Sequence, residues 1–131
     1  MALELGKDSI WSSGPYIIEE LISSNQNDQR SPSLEVFIDN DLEKITYACN
    51  QIVDSEGRFI GILMGKDCLD QNISSKTSII AKAIGKRYSE LGYRGFFDID
   101  FIVSKNGTTY PIETNVRRTG GTHVFDLTKY L

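Results

Sequence analysis

Five residues with the chemistry of a metal and phosphate site lie close together in the last third of the chain. Three are acids, Asp98, Asp100 and Glu113, and they are followed by the amide Asn115 and the cation Arg117. Carboxylate and amide oxygens suit a hard divalent cation such as Mg²⁺. An arginine can bind a phosphate or carboxylate through two parallel hydrogen bonds. These residue types therefore predict a site for a divalent cation and an anionic ligand.

The acids lie on either side of a predicted β-hairpin turn. Asn-Gly between two β-rich runs is a strong hairpin signal, and it occurs here at Asn106 and Gly107. A two-residue turn at that dipeptide places Asp100 directly opposite Glu113. In the same register Asp98 faces Asn115, Ile99 faces Thr114, Phe101 faces Ile112 and Val103 faces Tyr110.

This register also separates the two faces of the hairpin. One face is predicted to carry Phe97, Ile99, Phe101, Val103, Tyr110, Ile112 and Val116, and the other Asp98, Asp100, Glu113, Asn115 and Arg117. Like charges placed directly opposite each other are destabilising, so a bound cation would relieve the Asp100–Glu113 pair. The alternative is that the acids are solvated, or that one of them pairs with Arg117 or Arg118.

Composition limits the classes of protein to consider. The 131 residues, 40% apolar and 24% charged, predict one folded globular domain, residues 1–131. The net charge is -4 and no basic stripe is present, which argues against a nucleic-acid partner. No signal peptide or membrane-length apolar run is apparent, so we expect a cytoplasmic protein that does not bind membranes. Cys49 and Cys68 are predicted to be reduced, buried thiols.

The elements that must position the acids follow from hydrophobic periodicity. Strands are predicted at residues 15–22, 34–39 (half-buried), 44–53 and 58–64, with a polar loop over 23–33 and a turn over 54–57. Helical spacing predicts one long amphipathic helix over residues 75–91, capped by Ser74 or Ser75 and stopped by Gly92. Residues 125–131 are predicted to begin a further helix. The predicted fold class is α+β, an antiparallel sheet packed by one long helix.

Two segments of the sequence resemble a known family. GYRGFFDIDFI and YPIETNVR resemble the metal-binding end of the ATP-grasp superfamily, in which an acid on one strand precedes a Glu-x-Asn motif on the next. The resemblance implies that Asp100, Glu113 and Asn115 bind Mg²⁺, or Mn²⁺ in its place. It also implies a catalytic role for Arg117 at the phosphate or acyl-phosphate. The stretches NVRRTGGTH, SPSLEVFI and NQI further resemble the pheganomycin-type peptide ligases.

The resemblance also implies an ATP site. The stretch IIEELI would be the hinge strand that binds adenine, with Glu19, Glu20, Leu21 and Ile22 as its binding residues. Many members have lysine where this chain has Glu20, and taken alone the stretch predicts an ordinary edge strand. The acid that commonly holds the ribose would fall at Ser33 or Glu35.

The glycine-rich stretch RRTGGTH is a candidate substrate-binding segment. Successive backbone N–H groups can converge on an anion, and the candidate residues are Gly120, Gly121, Thr122 and His123. The simpler alternative is a tight loop between strand and helix, capped by Thr122 or Asp126.

The function implied by the resemblance is the catalytic end of an ATP-dependent carboxylate–amine ligase acting on small-molecule substrates. ATP would phosphorylate a carboxylate, and an amine would then displace phosphate to form an amide. The upstream lobe of such an enzyme is not found before residue 15, so we expect the isolated chain to be inactive. We also expect residues 1–14 to be disordered. The alternative function is a non-catalytic nucleotide-binding, metal-binding or oligomerisation module, which self-associates through the exposed face of a truncated domain.

Overall fold

The computed structural model describes residues 14–24, 31–40 and 42–131. The expected disorder of residues 1–14 therefore lies, apart from Gly14, outside the described residues. The elements are the strands β1 (Ser31–Asp39), β2 (Leu42–Val53), β3 (Phe59–Met64), β4 (Gly95–Val103) and β5 (Thr109–Asn115) and the helices α1 (Gln71–Glu90) and α2 (Gly120–Thr128). The strands form one antiparallel sheet in the order β3-β2-β1-β4-β5. The predicted α+β class is confirmed.

The central strand β1 is buried on both faces, although its alternating pattern predicted a half-buried strand. Leu34, Val36 and Ile38 pack on one face, where β4 contributes Phe97 and Phe101 to the same core. Ser33 and Glu35 are buried on the other face, which is polar. The strand also begins at Ser31, within the predicted loop, whose residues 25–30 lie outside the described part of the chain.

Helix α1 covers the apolar face of the sheet and begins earlier than predicted. Asp70 is the N-cap, and its side chain accepts a hydrogen bond from the backbone N–H of Ile73 at 2.9 Å. Ser74 and Ser75 therefore lie within the first turns and are not caps. The predicted end is confirmed at Gly92, whose φ of 86° favours glycine. The most buried positions recur every four residues and are mostly small, at Ile73, Thr77, Ala81, Gly85 and Ser89.

The β4–β5 hairpin keeps the predicted register at the acids for an unexpected reason. The Ser104 N–H donates to the Thr108 carbonyl and Gly107 has positive φ, so the loop has three residues and not two. This displaces the pairing by one residue, so that Val103 faces Thr109, Ile102 faces Tyr110 and Phe101 faces Pro111. A bulge at Ile112 then restores the predicted pairing, and Asp100 faces Glu113.

The bulge also changes which side chains share a face. Ile99, Phe101 and Val103 are buried beneath α1, as predicted. Tyr110 now faces Ile102, which is on the polar side, so its predicted apolar-face position is wrong. Tyr110 and Ile112 are 39% and 43% exposed, so β5 contributes little to the core, and Val116 just beyond it is 51% exposed.

Two further predictions at the ends of the chain are wrong. Residues 15–22 form no strand, and just beyond them Ser24 forms an isolated bridge with Ser104. Ile17, Ile18 and Leu21 are nearly fully exposed, since no strand pairs with this segment. Helix α2 begins at residue 120 and not 125, because the double glycine enters the helix instead of forming a loop. No helix among the described residues is long and apolar enough to cross a membrane.

Candidate functional site

The polar face of the sheet carries a cavity of about 200 Å³ at the start of α2. Strands β1, β2, β3 and β4 form its floor, and residues 115–121 form its wall. The lining residues are Ser33, Tyr47, Cys49, Gln51, Phe59, Ile62, Asp98, Asp100, Asn115, Arg117, Thr119, Gly120 and Gly121. The structure therefore brings most of the predicted polar cluster to one cavity.

Asp100 is the central carboxylate of this cavity. Gln51 Nε2 donates to its Oδ1 at 2.5 Å, and Asn115 Nδ2 donates to its Oδ2 at 3.3 Å. Burial raises the pKa of Asp100 to about 6, with further upward contributions from the charges of Asp98 and Glu113. The predicted repulsion between opposed acids is thus visible in the electrostatics of the site.

Asp98 forms a second, deeper centre. Its side chain is 1% exposed and accepts hydrogen bonds from Ser33 Oγ at 2.6 Å, Thr119 Oγ1 at 3.1 Å and Tyr47 Oη at 3.2 Å. No lysine or arginine pairs with Asp98 in the described part of the chain. Burial, with added repulsion from Asp98 and Glu35, raises the pKa of Tyr47, so its hydroxyl stays protonated and donates.

Glu35 lies directly opposite Asp98 across the β1–β4 pair and is also 1% exposed. Thr46 Oγ1 donates to one carboxylate oxygen at 2.7 Å, and Thr122 Oγ1 donates to the other. The carboxylate is therefore held by hydroxyl groups from β2 and from the first turn of α2. Together with the Asp98–Thr119 bond, this fixes the start of α2 against the sheet.

Asn115 and Arg117 are held together beside Asp100. Arg117 Nη2 donates to Asn115 Oδ1 at 3.2 Å, and the backbone N–H of Arg117 donates to the Asn115 carbonyl at 2.7 Å. The Asn115 amide thus presents its NH₂ group to Asp100 and its oxygen to Arg117. Half a turn about the last side-chain bond would exchange the two atoms and direct the oxygen toward Asp100.

The donor set fits a hard divalent cation. No group of three or more His, Cys, Asp or Glu side chains within the described ranges is arranged to hold a metal ion. The set here is mixed, because Asp100 and Glu113 are directly opposed carboxylates and Asn115 is an amide neighbour. Mg²⁺ commonly takes one or two carboxylates and completes its shell with waters and phosphate oxygens. The metal assignment of these three residues stays a prediction.

The predicted substrate segment is brought to the cavity only in part. Gly120 and Gly121 line it, and Gly121 packs against Tyr47, leaving no space for a Cβ. Thr122 is buried beneath the cavity with its hydroxyl on Glu35, and the exposed His123 does not line the cavity. The proposed adenine residues Glu19, Glu20, Leu21 and Ile22 do not line it either.

The sequence did not single out several cavity residues. Tyr47, Cys49 and Gln51 alternate along β2 and therefore share the polar face, which is a period-two signal like that of β1. Burial raises the pKa of Cys49 to about 12, and both Cys49 and Cys68 are free thiols. The predicted burial is confirmed for Cys49, whereas Cys68 is only partly buried. Thr119, by contrast, lies in the glycine-rich stretch that the sequence indicated as a substrate-binding segment, and it does line the cavity.

Comparison with known proteins identifies the fold. No protein-family model matches the sequence, and no curated protein matches it significantly. A biotin carboxylase–β,γ-ATP complex from Campylobacter jejuni matches with a TM-score of 0.64 and 19% identity, over 83% of this chain and 23% of that one. A protein described as an ATP-grasp superfamily member, from Archaeoglobus fulgidus, matches with a TM-score of 0.56 and 20% identity, over 78% and 31%. This chain has an ATP-grasp fold.

A third ATP-grasp neighbour extends the comparison. N5-carboxyaminoimidazole synthetase from Staphylococcus aureus, complexed with ADP, matches with a TM-score of 0.58 and 15% identity, over 80% of this chain and 26% of that one. The sheet and two helices described above correspond to the C-terminal lobe of an ATP-grasp fold. The chain spans about a quarter of the length of these three neighbours.

Proposed function

We propose that this chain is the ATP-binding and Mg²⁺-binding catalytic end of an ATP-dependent carboxylate–amine ligase. The observation that carries the proposal is the opposed pair Asp100 and Glu113, with Asn115 beside it, on the polar face of an ATP-grasp fold. The ADP and β,γ-ATP complexes of the neighbours support a nucleotide as the ligand. The resemblance of the sequence to pheganomycin-type ligases supports a peptide bond as the product.

The roles of the site residues follow from their chemistry, although Glu113 faces Asp100 without lining the cavity. Asp100, Glu113 and Asn115 would hold Mg²⁺, with Mn²⁺ as a substitute, and the cation would neutralise charge on the ATP phosphates. Arg117 is exposed, and its guanidinium, which donates to Asn115 in this structure, would bind the oxygens of the transferred phosphoryl group with its remaining N–H groups. Gly120 and Gly121 would place backbone N–H groups near the substrate anion at the start of α2.

The nucleoside part of ATP would lie toward β1. Ser33 lines the cavity, whereas both carboxylate oxygens of Glu35 already accept hydroxyl donors. Of the two ribose candidates, Ser33 is therefore the better placed. Residues 19–22 would supply backbone groups to adenine, which requires this exposed segment to move onto the cavity when nucleotide binds.

Turnover would need more of the protein than this chain provides. The neighbours are about three times longer, so we propose that the isolated chain binds nucleotide and metal without completing ligation. The substrates would be a small-molecule carboxylate and an amine, joined through an acyl-phosphate in a soluble, cytoplasmic enzyme.

A second candidate function is an interaction module derived from this fold. The edge strand β3 exposes apolar side chains, with Phe59 61%, Ile60 64% and Leu63 54% exposed, and Ile52 beside them on β2 is 43% exposed. Exposed apolar edge strands favour association with another chain. Light scattering after size-exclusion chromatography tests this candidate, and a strict monomer would count against self-association.

Titration with Mn²⁺ tests the ligase proposal directly. We expect paramagnetic broadening of backbone amides centred on residues 98–100 and 113–117, with shifts at residues 19–22 when a non-hydrolysable ATP analogue is added. Glu113→Gln should weaken Mn²⁺ binding by about tenfold or more, since one anionic ligand is lost. Glu90→Gln is the matched control, because Glu90 is an exposed acid on α1 that pairs with Arg87. Broadening that is unchanged by Glu113→Gln, or absent from both segments, would reject the metal site.

A further inference from the structure

A second cavity lies on the polar face, beyond the start of α2. Its volume is about 220 Å³, and it is bounded by α2 and by strands β1, β2 and β4. The lining residues are Glu35, Lys44, Thr46, Phe96, Arg118, Phe125, Asp126 and Lys129. None of them lines the first cavity, which contains Asp98 and Asp100 and is called the acidic cavity below. Residues 119–122, bonded to Asp98 and Glu35, are the first turn of α2 and its cap. The two cavities therefore share no lining residue and lie on either side of the start of α2.

The charge of this second cavity favours an anion. Three cations line it: Lys129 forms an ion pair with Asp126 at 2.6 Å, and the charge of Arg118 also acts on that acid. Glu35 is already occupied by the Thr46 and Thr122 hydroxyl groups. Lys44 and Arg118 form no ion pair with any described residue, and both are exposed to an incoming ligand.

Aromatic rings provide the apolar part of the same cavity. The guanidinium of Arg118 lies over Phe96, 4.2 Å from the ring centroid, and Phe96 in turn stacks on Phe37 at 4.4 Å. Phe125 lies against Tyr47 at 5.4 Å between ring centroids. A guanidinium that is flat against a ring keeps its N–H donors at its edge, where they can bind a planar carboxylate through two hydrogen bonds.

We propose that this cavity binds a small aromatic carboxylate, with the carboxylate on Arg118 and Lys44 and the ring against Phe96 and Phe125. The volume is below the 300–1,000 Å³ typical of sites for drug-sized ligands, so it suits a ligand of about one ring. A phosphate ion would use the cations but make no apolar contact. Because Arg118 lies over the face of Phe96 and Lys129 lies over the face of Phe125, a ligand ring would meet the edges of both rings. This proposal does not depend on metal or nucleotide binding in the acidic cavity.

Benzoate is the probe that tests the proposal, with benzamide and inorganic phosphate as comparison ligands. Each is titrated into isotope-labelled full chain at constant pH and ionic strength, and amide shifts are followed. We expect benzoate to shift signals at Phe96, Arg118 and Phe125 at millimolar concentration, with benzamide and phosphate at least about fivefold weaker. Equal binding of benzamide would exclude the charge contact, and equal binding of phosphate would exclude the aromatic one.

Charge variants distinguish binding of benzoate in this cavity from non-specific attraction of an anion to positive charge on the protein surface. Arg118→Gln should weaken benzoate binding by about tenfold or more, because a charge-assisted hydrogen-bonded contact is lost. Lys82→Gln removes the same charge from an exposed position on α1, on the opposite side of the sheet, and should leave binding unchanged. Equal weakening by the two variants, or no localised shift in the wild-type chain, would overturn the proposal.

Discussion

The two faces of the sheet differ in kind, although the same strands form both. Beneath α1 the buried side chains are apolar: Leu34, Val36, Ile38, Ala81, Phe97, Ile99 and Phe101. On the α2 side the buried side chains include Ser33, Glu35, Asp98 and Thr122. The buried side chains of the α1 face are therefore packed by apolar contacts, whereas those of the α2 face are joined in a hydrogen-bonded polar network.

This difference indicates which face stabilises the fold and which is suited to ligand binding. Burying a large apolar side chain contributes about 1.5–3 kcal/mol, so the α1 face supplies most of the stability. Burying Asp98 and Glu35 without a cation is unfavourable, and hydroxyl donors offset that cost only in part. A polar face of this kind is consistent with binding, and both cavities discussed above open on it.

Removing a large side chain from the α1 face should have the largest effect on stability. Phe97 is fully buried and packs edge-on against Tyr88, with 4.9 Å between ring centroids. Phe97→Ala should lower the free energy of unfolding by about 3–5 kcal/mol, measured by urea denaturation. Ile79→Ala is the control, since Ile79 is 70% exposed, and should change stability by less than about 0.5 kcal/mol. Similar small losses from both variants would show that the core is loosely packed.

Two buried glycines allow a direct comparison of the faces. A Cβ on Gly121 would lie 2.8 Å from Tyr47 Cζ, so Gly121→Ala must displace either the ring or α2, at a cost of about 1–3 kcal/mol. A Cβ on Gly85, within α1, would lie 2.9 Å from Glu43 Cγ, which belongs to a flexible side chain. Gly85→Ala also gains about 1 kcal/mol of helix propensity and should be close to neutral.

Thermal and urea unfolding of the two glycine variants checks this contrast. If Gly85→Ala is the more destabilising substitution, the start of α2 is less tightly packed than the structure indicates. The Gly121→Ala variant should also lose amide shifts characteristic of residues 119–122, because these residues are held by the same packing.

The sequence predicted the acid pair better than it predicted the hairpin that presents it. The Asn-Gly signal indicated a two-residue loop, whereas the loop has three residues and a bulge at Ile112 compensates for the difference. Local turn preference cannot reveal such a bulge, because it depends on pairing with β4. The predicted pairing of Asp100 with Glu113 was thus correct because the longer loop shifts the pairing by one residue and the bulge shifts it back.

Contacts distant in sequence account for the other differences. Glu35 and Thr122 are bonded although 87 residues separate them, so neither the buried second face of β1 nor the early start of α2 could be inferred from local periodicity. For residues 15–22, local periodicity instead predicted an element that does not form. Their apolar pattern is typical of a strand, but no partner strand pairs with them in the described structure.

Removing a single tyrosine hydroxyl group from each face should change the free energy of unfolding by less than the substitutions above, and by different amounts on the two faces. Tyr47 Oη lies within hydrogen-bond distance of the buried Asp98 carboxylate and of Thr119, whereas Tyr88 Oη bonds Thr114 at an exposed position. Tyr47→Phe should cost about 1–2 kcal/mol and Tyr88→Phe about 0.5 kcal/mol, because only the first leaves a buried charge with fewer donors. Urea denaturation at pH 7 measures both. Equal costs would mean that Asp98 is better solvated than its burial indicates.

The smallest effect should be the pH dependence contributed by Asp100. Its pKa is about 6 in the folded protein against an ordinary value of 3.8, so the folded state holds this proton more tightly than the unfolded state. Its contribution to stability is therefore greatest below pH 4 and decreases as the pH rises from 4 to 6. Asp100→Asn removes that titration, and the variant should gain stability relative to wild type over this range, in metal-free buffer. Partial solvent exposure keeps the gain modest. The quantity to follow is the difference in the free energy of unfolding between wild type and variant at each pH. The pKa values of Asp54 and Asp126 are lowered, so these two acids make stability rise with pH, but they do so in both proteins and their effect cancels in the difference. A difference that does not change between pH 4 and 6 would mean that Asp100 titrates normally, and that neither its burial nor the neighbouring acids disfavour its charge.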